Sequence, residues 1–125
     1  MAGTLTYSAV GSNRLEDAKG FYDALLGLAG LTPAFEHPSG GRVYGRDGRF
    51  CFAVLGPLDG QPATVGNGSM FAFSFDARDE VDAFHAKALT LGGVDEGAPG
   101  FRAPAAYFSY FRDLDGNKLC AFNIA

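Results

Sequence analysis

Side chains able to do chemistry at neutral pH are few in this chain. It has two histidines, two cysteines and five tyrosines. A divalent metal centre needs imidazole and carboxylate donors that converge on one point. His37 follows Glu36 and precedes the turn-forming run Pro38-Ser39-Gly40-Gly41, whereas His85 follows Phe84 in a helical pattern, so the two imidazoles have no shared ligand spacing. A nucleophilic cysteine needs a base, a cation or a helix N-terminus to hold thiolate. Cys120 has only Lys118 nearby, on the same face of an alternating strand, and Cys51 lies among apolar residues. Two embedded cysteines do not make a disulfide framework, and both are expected reduced. Asp113 and Asp115 form a carboxylate pair, but in an Asp-Gly-Asn turn such groups cap backbone N–H groups. Gly66-Asn67-Gly68 leads into no helix and cannot cradle a phosphate at a helix N-terminus. Asp79-Glu80 suits the positive end of a helix dipole.

The elements that must position these groups follow from periodicity. Residues 4–11 are β-branched and aromatic and predict a strand. Ser12 or Asn13 can cap a helix over 14–27 that carries Leu15, Ala18, Tyr22 and Leu25 on one face and stops at Gly27 and Gly30. A strand is expected over 33–37. Arg42 to Arg46 and Phe50 to Leu55 are two strands around Asp47-Gly48, both tolerant of positive φ. The chain then enters a Gly/Pro-rich loop. Beyond it come a strand over 70–75, a helix over 79–91 capped by Asp76 or Asp79, and a Gly/Pro-rich stretch. A strand over 107–111, the turn Asp115-Gly116-Asn117 and a last strand over 119–124 follow.

This order occurs twice. Tyr7 precedes Phe21 of the first helix by fourteen residues, and Met70 precedes Phe84 of the second by fourteen. The hairpins Asp47-Gly48-Arg49-Phe50-Cys51-Phe52 and Asp115-Gly116-Asn117-Lys118-Leu119-Cys120 also match, and in that alignment Phe52 answers to Cys120. The fold class is therefore α+β: a single domain, 1–125, of two βαβββ modules at about 4–56 and 69–125 joined by a linker at about 57–68. The modules are expected to build a curved, eight-stranded, mostly antiparallel sheet with the helices on its convex side.

Composition narrows the function. Ten basic residues against fourteen acidic ones give a formal charge of −4, with no basic run, which excludes a phosphate-neutralising nucleic-acid binder. No stretch of about 18 apolar residues is present to cross a membrane, and the start Met1-Ala2-Gly3-Thr4 lacks a signal-peptide pattern, so a cytoplasmic protein is expected. Hydrophobic residues make up 47% of the chain, enough for a buried core, and twelve Phe make that core aromatic.

The pieces Phe21-Tyr22-Asp23-Ala24-Leu25-Leu26-Gly27, Val81-Asp82-Ala83-Phe84-His85-Ala86-Lys87-Ala88 with Gly92-Gly93, and Arg112-Asp113-Leu114-Asp115-Gly116-Asn117-Lys118 together resemble the glyoxalase, bleomycin-resistance and extradiol-dioxygenase superfamily, also called vicinal oxygen chelate proteins. The resemblance covers essentially the whole chain, with Leu114 where the family's Asp-Gly-Asn turn carries proline. It implies four metal-ligand positions facing a concave cavity, which here read Tyr7, Phe52, Met70 and Cys120. That set lacks the imidazole and carboxylate donors of a divalent centre, so no metal and no cofactor are expected. Strand alternation from those positions adds Phe50, Ala72, Ser74 and Phe122 to the cavity, with Leu5, Ala9 and Val54, and puts Phe71, Phe73, Phe75, Leu119, Ala121 and Cys51 under the helices. Tyr107, Tyr110, Arg102 and Arg112 are implied at the cavity mouth. The expected function is binding of a small apolar or aromatic molecule without metal, with the Tyr7 hydroxyl as first choice for an orienting hydrogen bond. A metal-dependent lyase, isomerase or dioxygenase of the glyoxalase type is the alternative, and a purely structural domain a third. The resemblance also implies a homodimer, and leaves open whether the modules close within one chain or exchange between two.

Overall fold

A computed structural model describes residues 1–125. The first module consists of β1 (Ser8–Gly11), α1 (Leu15–Gly27), β2 (Thr32–Glu36), β3 (Arg42–Arg46) and β4 (Arg49–Leu55). The second consists of β5 (Phe71–Ser74), α2 (Arg78–Thr90), β6 (Val94–Ala103), β7 (Ala106–Arg112) and β8 (Lys118–Ile124). The βαβββ order thus occurs twice, in an α+β fold. The eight strands divide into two four-stranded sheets of the same topology, β1-β4-β3-β2 and β5-β8-β7-β6. In each, the first strand lies parallel to the last and the other pairings are antiparallel.

Helix α1 buries Ala18, Phe21, Tyr22, Leu25 and Leu26, the 3–4–7–8 spacing of an amphipathic face. Its entry is fixed by the buried Ser12 hydroxyl, which accepts from the Arg14 N–H at 3.0 Å. Its exit is the left-handed Gly30 (φ 75°), after which the Leu31 N–H returns to the Leu26 carbonyl. Helix α2 buries Val81, Phe84, His85 and Ala88. Neither Asp76 nor Asp79 caps it. Instead the Glu80 carboxylate reaches back to the Ala77 N–H at 3.1 Å, the reciprocal half of a capping box.

The stretch between α2 and β7, expected as a Gly/Pro-rich connection, is strand β6. Its pairing with β7 slips at three places, between Asp95 and Gly97, Gly97 and Gly100, and Phe101 and Ala103. Bulges of this kind let a strand carry Gly and Pro. At Gly97 a Cβ would meet the Tyr110 ring at 3.0 Å, so the glycine lets β6 lie against that ring.

One core serves both modules. Sixteen buried residues from α1, α2 and both sheets form a single cluster. A line of ring contacts runs through it, from Tyr22 to Phe52 (5.0 Å), Phe73 (5.7 Å), Phe84 (5.3 Å) and Phe111 (5.9 Å). Phe52 is where this line crosses between modules, touching Phe71 as well as Phe73. Phe71, Phe73, Phe75, Leu119 and Ala121 all belong to or pack against this core.

A polar clasp ties the modules beside the core. The buried Tyr22 hydroxyl donates to Asp113 Oδ2 at 2.5 Å. Asp113 Oδ1 accepts from the Asp115 and Asn117 N–H groups, both at 2.9 Å. The Asn117 amide donates to Asp113 Oδ2 and to the Gly11 carbonyl at the end of β1 (3.0 Å), and the Asn13 N–H donates to Asp115 Oδ1 (2.9 Å). The turn after β7 thereby holds the β1–α1 corner. Burial, and then the Asp113 charge, push the Tyr22 phenol well above its ordinary pKa.

Candidate functional site

Each sheet has a helix side, used by the core, and an opposite side that the chain leaves uncovered. The second module's open side is assembled by register. Ala72 on β5 lies opposite Cys120 on β8, which lies opposite Tyr110 on β7, and Ser74, Phe122 and Phe108 form the next row. Phe108 and Phe122 stack with centroids 5.0 Å apart and planes 11° apart. Arg102 and Lys118 both sit over the Tyr110 ring, at 5.6 and 5.2 Å from its centroid. Arg112, in register with Lys118, is paired with Glu96. Met70, just before β5, is 44% exposed, and Ala72 and Ser74 are also exposed.

The first module's open side carries no ion pair. Tyr7 is 49% exposed and meets Phe50 edge-on at 6.1 Å; Phe35 meets the same ring at 5.5 Å. A cleft of about 840 Å³ borders this cluster between the Thr4–Thr6 segment, with Leu5, and the hairpin from Arg46 to Cys51. Its volume lies in the range of small-molecule sites, about 300–1,000 Å³.

Two residues expected in the cavity lie elsewhere. Phe52 is buried against Tyr22 on the helix side, and Val54 shares that side. The cause is a bulge: Tyr44 pairs with Phe52 while Gly45 pairs with Phe50, so Cys51 is an extra residue and the alternation resets there. Phe50 thus remains with Tyr7 while Phe52 turns into the core. Tyr107 also points to the helix side, where its hydroxyl donates to Asp82 of α2 at 2.6 Å. Strand parity already separates Tyr107 from Tyr110, three residues on, and puts Phe108 beside Tyr110 instead. Phe108 and Phe35 are the open-side aromatics that the sequence reading missed. Tyr7, Phe50, Met70, Ala72, Ser74, Tyr110, Cys120 and Phe122 lie on or beside the open sides, with Arg102 reaching over Tyr110.

The same bulge changes the four positions implied for a metal. Ser8 pairs with Phe52, and its counterpart Phe71 pairs with Leu119. The first-module counterpart of Cys120 is therefore Ala53, one residue beyond Phe52. The set becomes Tyr7, Ala53, Met70 and Cys120. A methyl, a thioether, a phenol and a thiol do not fit a hard or borderline divalent ion. Burial raises the Cys120 thiol from its ordinary 9.0 to about 11, against the opposing pull of Lys118 and Arg102, so it is protonated at neutral pH. No group of three or more His, Cys, Asp or Glu side chains elsewhere is arranged to hold a metal ion. His85 sits on α2 within 3.2 Å of Asp95, on the helix side of the second sheet. No helix is long and apolar enough to cross a membrane.

Comparison with known proteins gives the fold its place. The sequence profile of the Glyoxalase/Bleomycin resistance protein/Dioxygenase superfamily matches residues 4–121. A crystal structure of a glyoxalase/bleomycin resistance protein from Albidiferax ferrireducens is 42% identical, with a TM-score of 0.85 over 96% of this chain and 98% of that one. A glyoxalase-related enzyme from Fulvimarina pelagi is 20% identical with a TM-score of 0.76, over 97% of this chain and 88% of that one. A lactoylglutathione lyase from Agrobacterium tumefaciens is 19% identical with a TM-score of 0.70, over 97% of this chain and 93% of that one. The last two likenesses are of fold alone. No curated protein matches the sequence. A profile spanning nearly the whole chain, a relative of high identity and the twice-used βαβββ unit agree: this chain belongs to the glyoxalase/bleomycin resistance protein/dioxygenase superfamily.

Proposed function

We propose that this protein binds a small apolar or aromatic molecule against its open sheet sides, without a metal ion. The observation that carries this reading is the coexistence of two features on the open sides of the sheets. The four positions where the superfamily resemblance implies metal ligands hold Tyr7, Ala53, Met70 and Cys120, while the sheet around them carries uncovered aromatic rings, Phe50 on one module and Phe108, Tyr110 and Phe122 on the other. Aromatic side chains with a few polar points are the usual lining of small-molecule sites. Each module leaves its half open, and a second copy of the chain, making a homodimer, would enclose a ligand between two such halves. The protein on this reading works in the cytoplasm as a binder: Cys120 is protonated, no imidazole stands on the open side, and the Glu96 carboxylate there is paired with Arg112.

Native mass spectrometry and metal analysis of protein purified without chelator test this directly. The expected result is a non-covalent organic adduct with substoichiometric metal. Stoichiometric nickel, zinc, iron or manganese, lost on replacing Met70 and Cys120 with Ala, would overturn it.

A further inference from the structure

The second module's open side has an electrostatic character that its rings alone do not explain. Four charged side chains stand on it, and two of them cancel: Arg112 gives both its Nε and its Nη2 to the carboxylate of Glu96. Lys118 and Arg102 have no carboxylate partner. The Lys118 ammonium makes no hydrogen bond to the protein, and Arg102 uses one nitrogen on the Ala98 carbonyl at 2.7 Å. Both cations lean on one ring, that of Tyr110, from about the same distance. This is a local surplus of two positive charges on a chain whose net charge is −4. Their field reaches the middle of the sheet, because the same two groups are the ones that oppose the rise in the Cys120 pKa.

Resting on the proposed reading of this face as a small-molecule site, we infer that its ligand class is an aromatic carboxylate, with the ring laid along the Phe108–Phe122 stack and the carboxylate between Lys118 and Arg102. The stack offers flat apolar area, and rings prefer offset or edge contacts with such a surface. The two cations offer free N–H donors at its border, and charge-assisted bonds to a carboxylate are the strong ones. The first module's rings, Tyr7, Phe35 and Phe50, border a cleft that holds Arg46 and Arg49 with Asp47 between them in sequence, a surplus of one positive charge against the two beside Tyr110.

The test is calorimetric titration of the native protein with three probes of one shape: 2-naphthoate, 2-naphthylmethanol and 2-naphthylmethylammonium. The carboxylate is expected to bind at least about tenfold more tightly than the alcohol, and the ammonium more weakly than either. Lys118→Gln and Arg102→Gln should each remove most of that preference while leaving the alcohol unchanged. Lys118→Arg should retain it, and the preference should shrink as salt is raised. Equal binding of all three probes would overturn the inference and leave the small-molecule reading standing. Binding of none would overturn it too; a retained organic adduct in native mass spectra would then keep the wider reading, and its absence would remove both. Lys118→Gln or Arg102→Gln dissociating a dimer, with no change in probe binding, would assign the cations to subunit contact instead.

Discussion

Cys120 shows how environment decides what a residue can do. It stands at a position where the superfamily resemblance implies a metal ligand, with two cations nearby, yet burial outweighs them and its pKa climbs to about 11. A thiol two units above its ordinary value holds about a hundredfold less thiolate at pH 8. Alkylation of Cys120 by iodoacetamide, followed by peptide mass spectrometry, should therefore be slow at pH 8 and accelerate up to pH about 11. A rate already at its plateau by pH 9 would contradict this. The stability consequence has a definite sign. A folded-state pKa raised above the unfolded one contributes stability that is fully present below pH 9 and is lost as pH climbs toward 11. The buried phenols Tyr22 and Tyr44 are shifted in the same direction by burial beside Asp113 and Asp23, so urea midpoints should fall across the alkaline limb and stay level between pH 6 and 8. Little of this was legible in the sequence. Lys118 two residues before Cys120 hints at a lowered pKa, and only the packing around the sulfur reverses it.

At the scale of elements, most of what the sequence announces is local chemistry. The helices, the Asp47-Gly48 turn and the Asp-Gly-Asn turn are legible because capping groups, glycines and apolar spacing act within a few residues of one another. Strand β6 was illegible because Gly97, Pro99 and Gly100 are loop formers until a neighbour supplies the ladder. The polar clasp joins residues about a hundred positions apart, which no local pattern reveals. Its value can be measured. Tyr22→Phe removes one donor from the buried Asp113 and should cost about 1–3 kcal/mol in urea unfolding. A cost near zero would mean that Asn117 and the turn amides hold Asp113 unaided. Gly45 marks a backbone constraint: a Cβ there would collide with the Arg49 carbonyl across the hairpin. Gly45→Ala should destabilise by roughly 1–3 kcal/mol, read as a lower Tm, as overpacking does.

For the whole molecule, the decisive arrangement is that both modules put their helix sides into one core and their opposite sides outward. Phe52 is the joint of that core, and Phe52→Ala should cost about 3–5 kcal/mol and lower both modules' stability together, not one. Separate transitions by hydrogen exchange in the two sheets would argue against a shared core. Sedimentation at tens of micromolar is expected to give twice the 13.1 kDa of one chain, and a single-chain mass would contradict the enclosed site proposed above. The duplicated plan was readable from the fourteen-residue spacings, because they belong to regular elements. The division of rings between core and open side was readable only where alternation runs unbroken, as on β5 and β8, and failed at Phe52 where it does not.

The extra residue in β4 has a consequence for anyone who would rebuild chemistry on this scaffold. Matching the two modules by their Asp-Gly hairpins would place a new carboxylate at Phe52, where it would enter the core beside Tyr22 and strand a charge among rings. Matching them by strand register places it at Ala53, level with Cys120 across the pseudo-symmetry. The single bulge at Cys51 thus acts as a frame shift written in geometry: the two halves share a plan, but from that point onward they are numbered one apart.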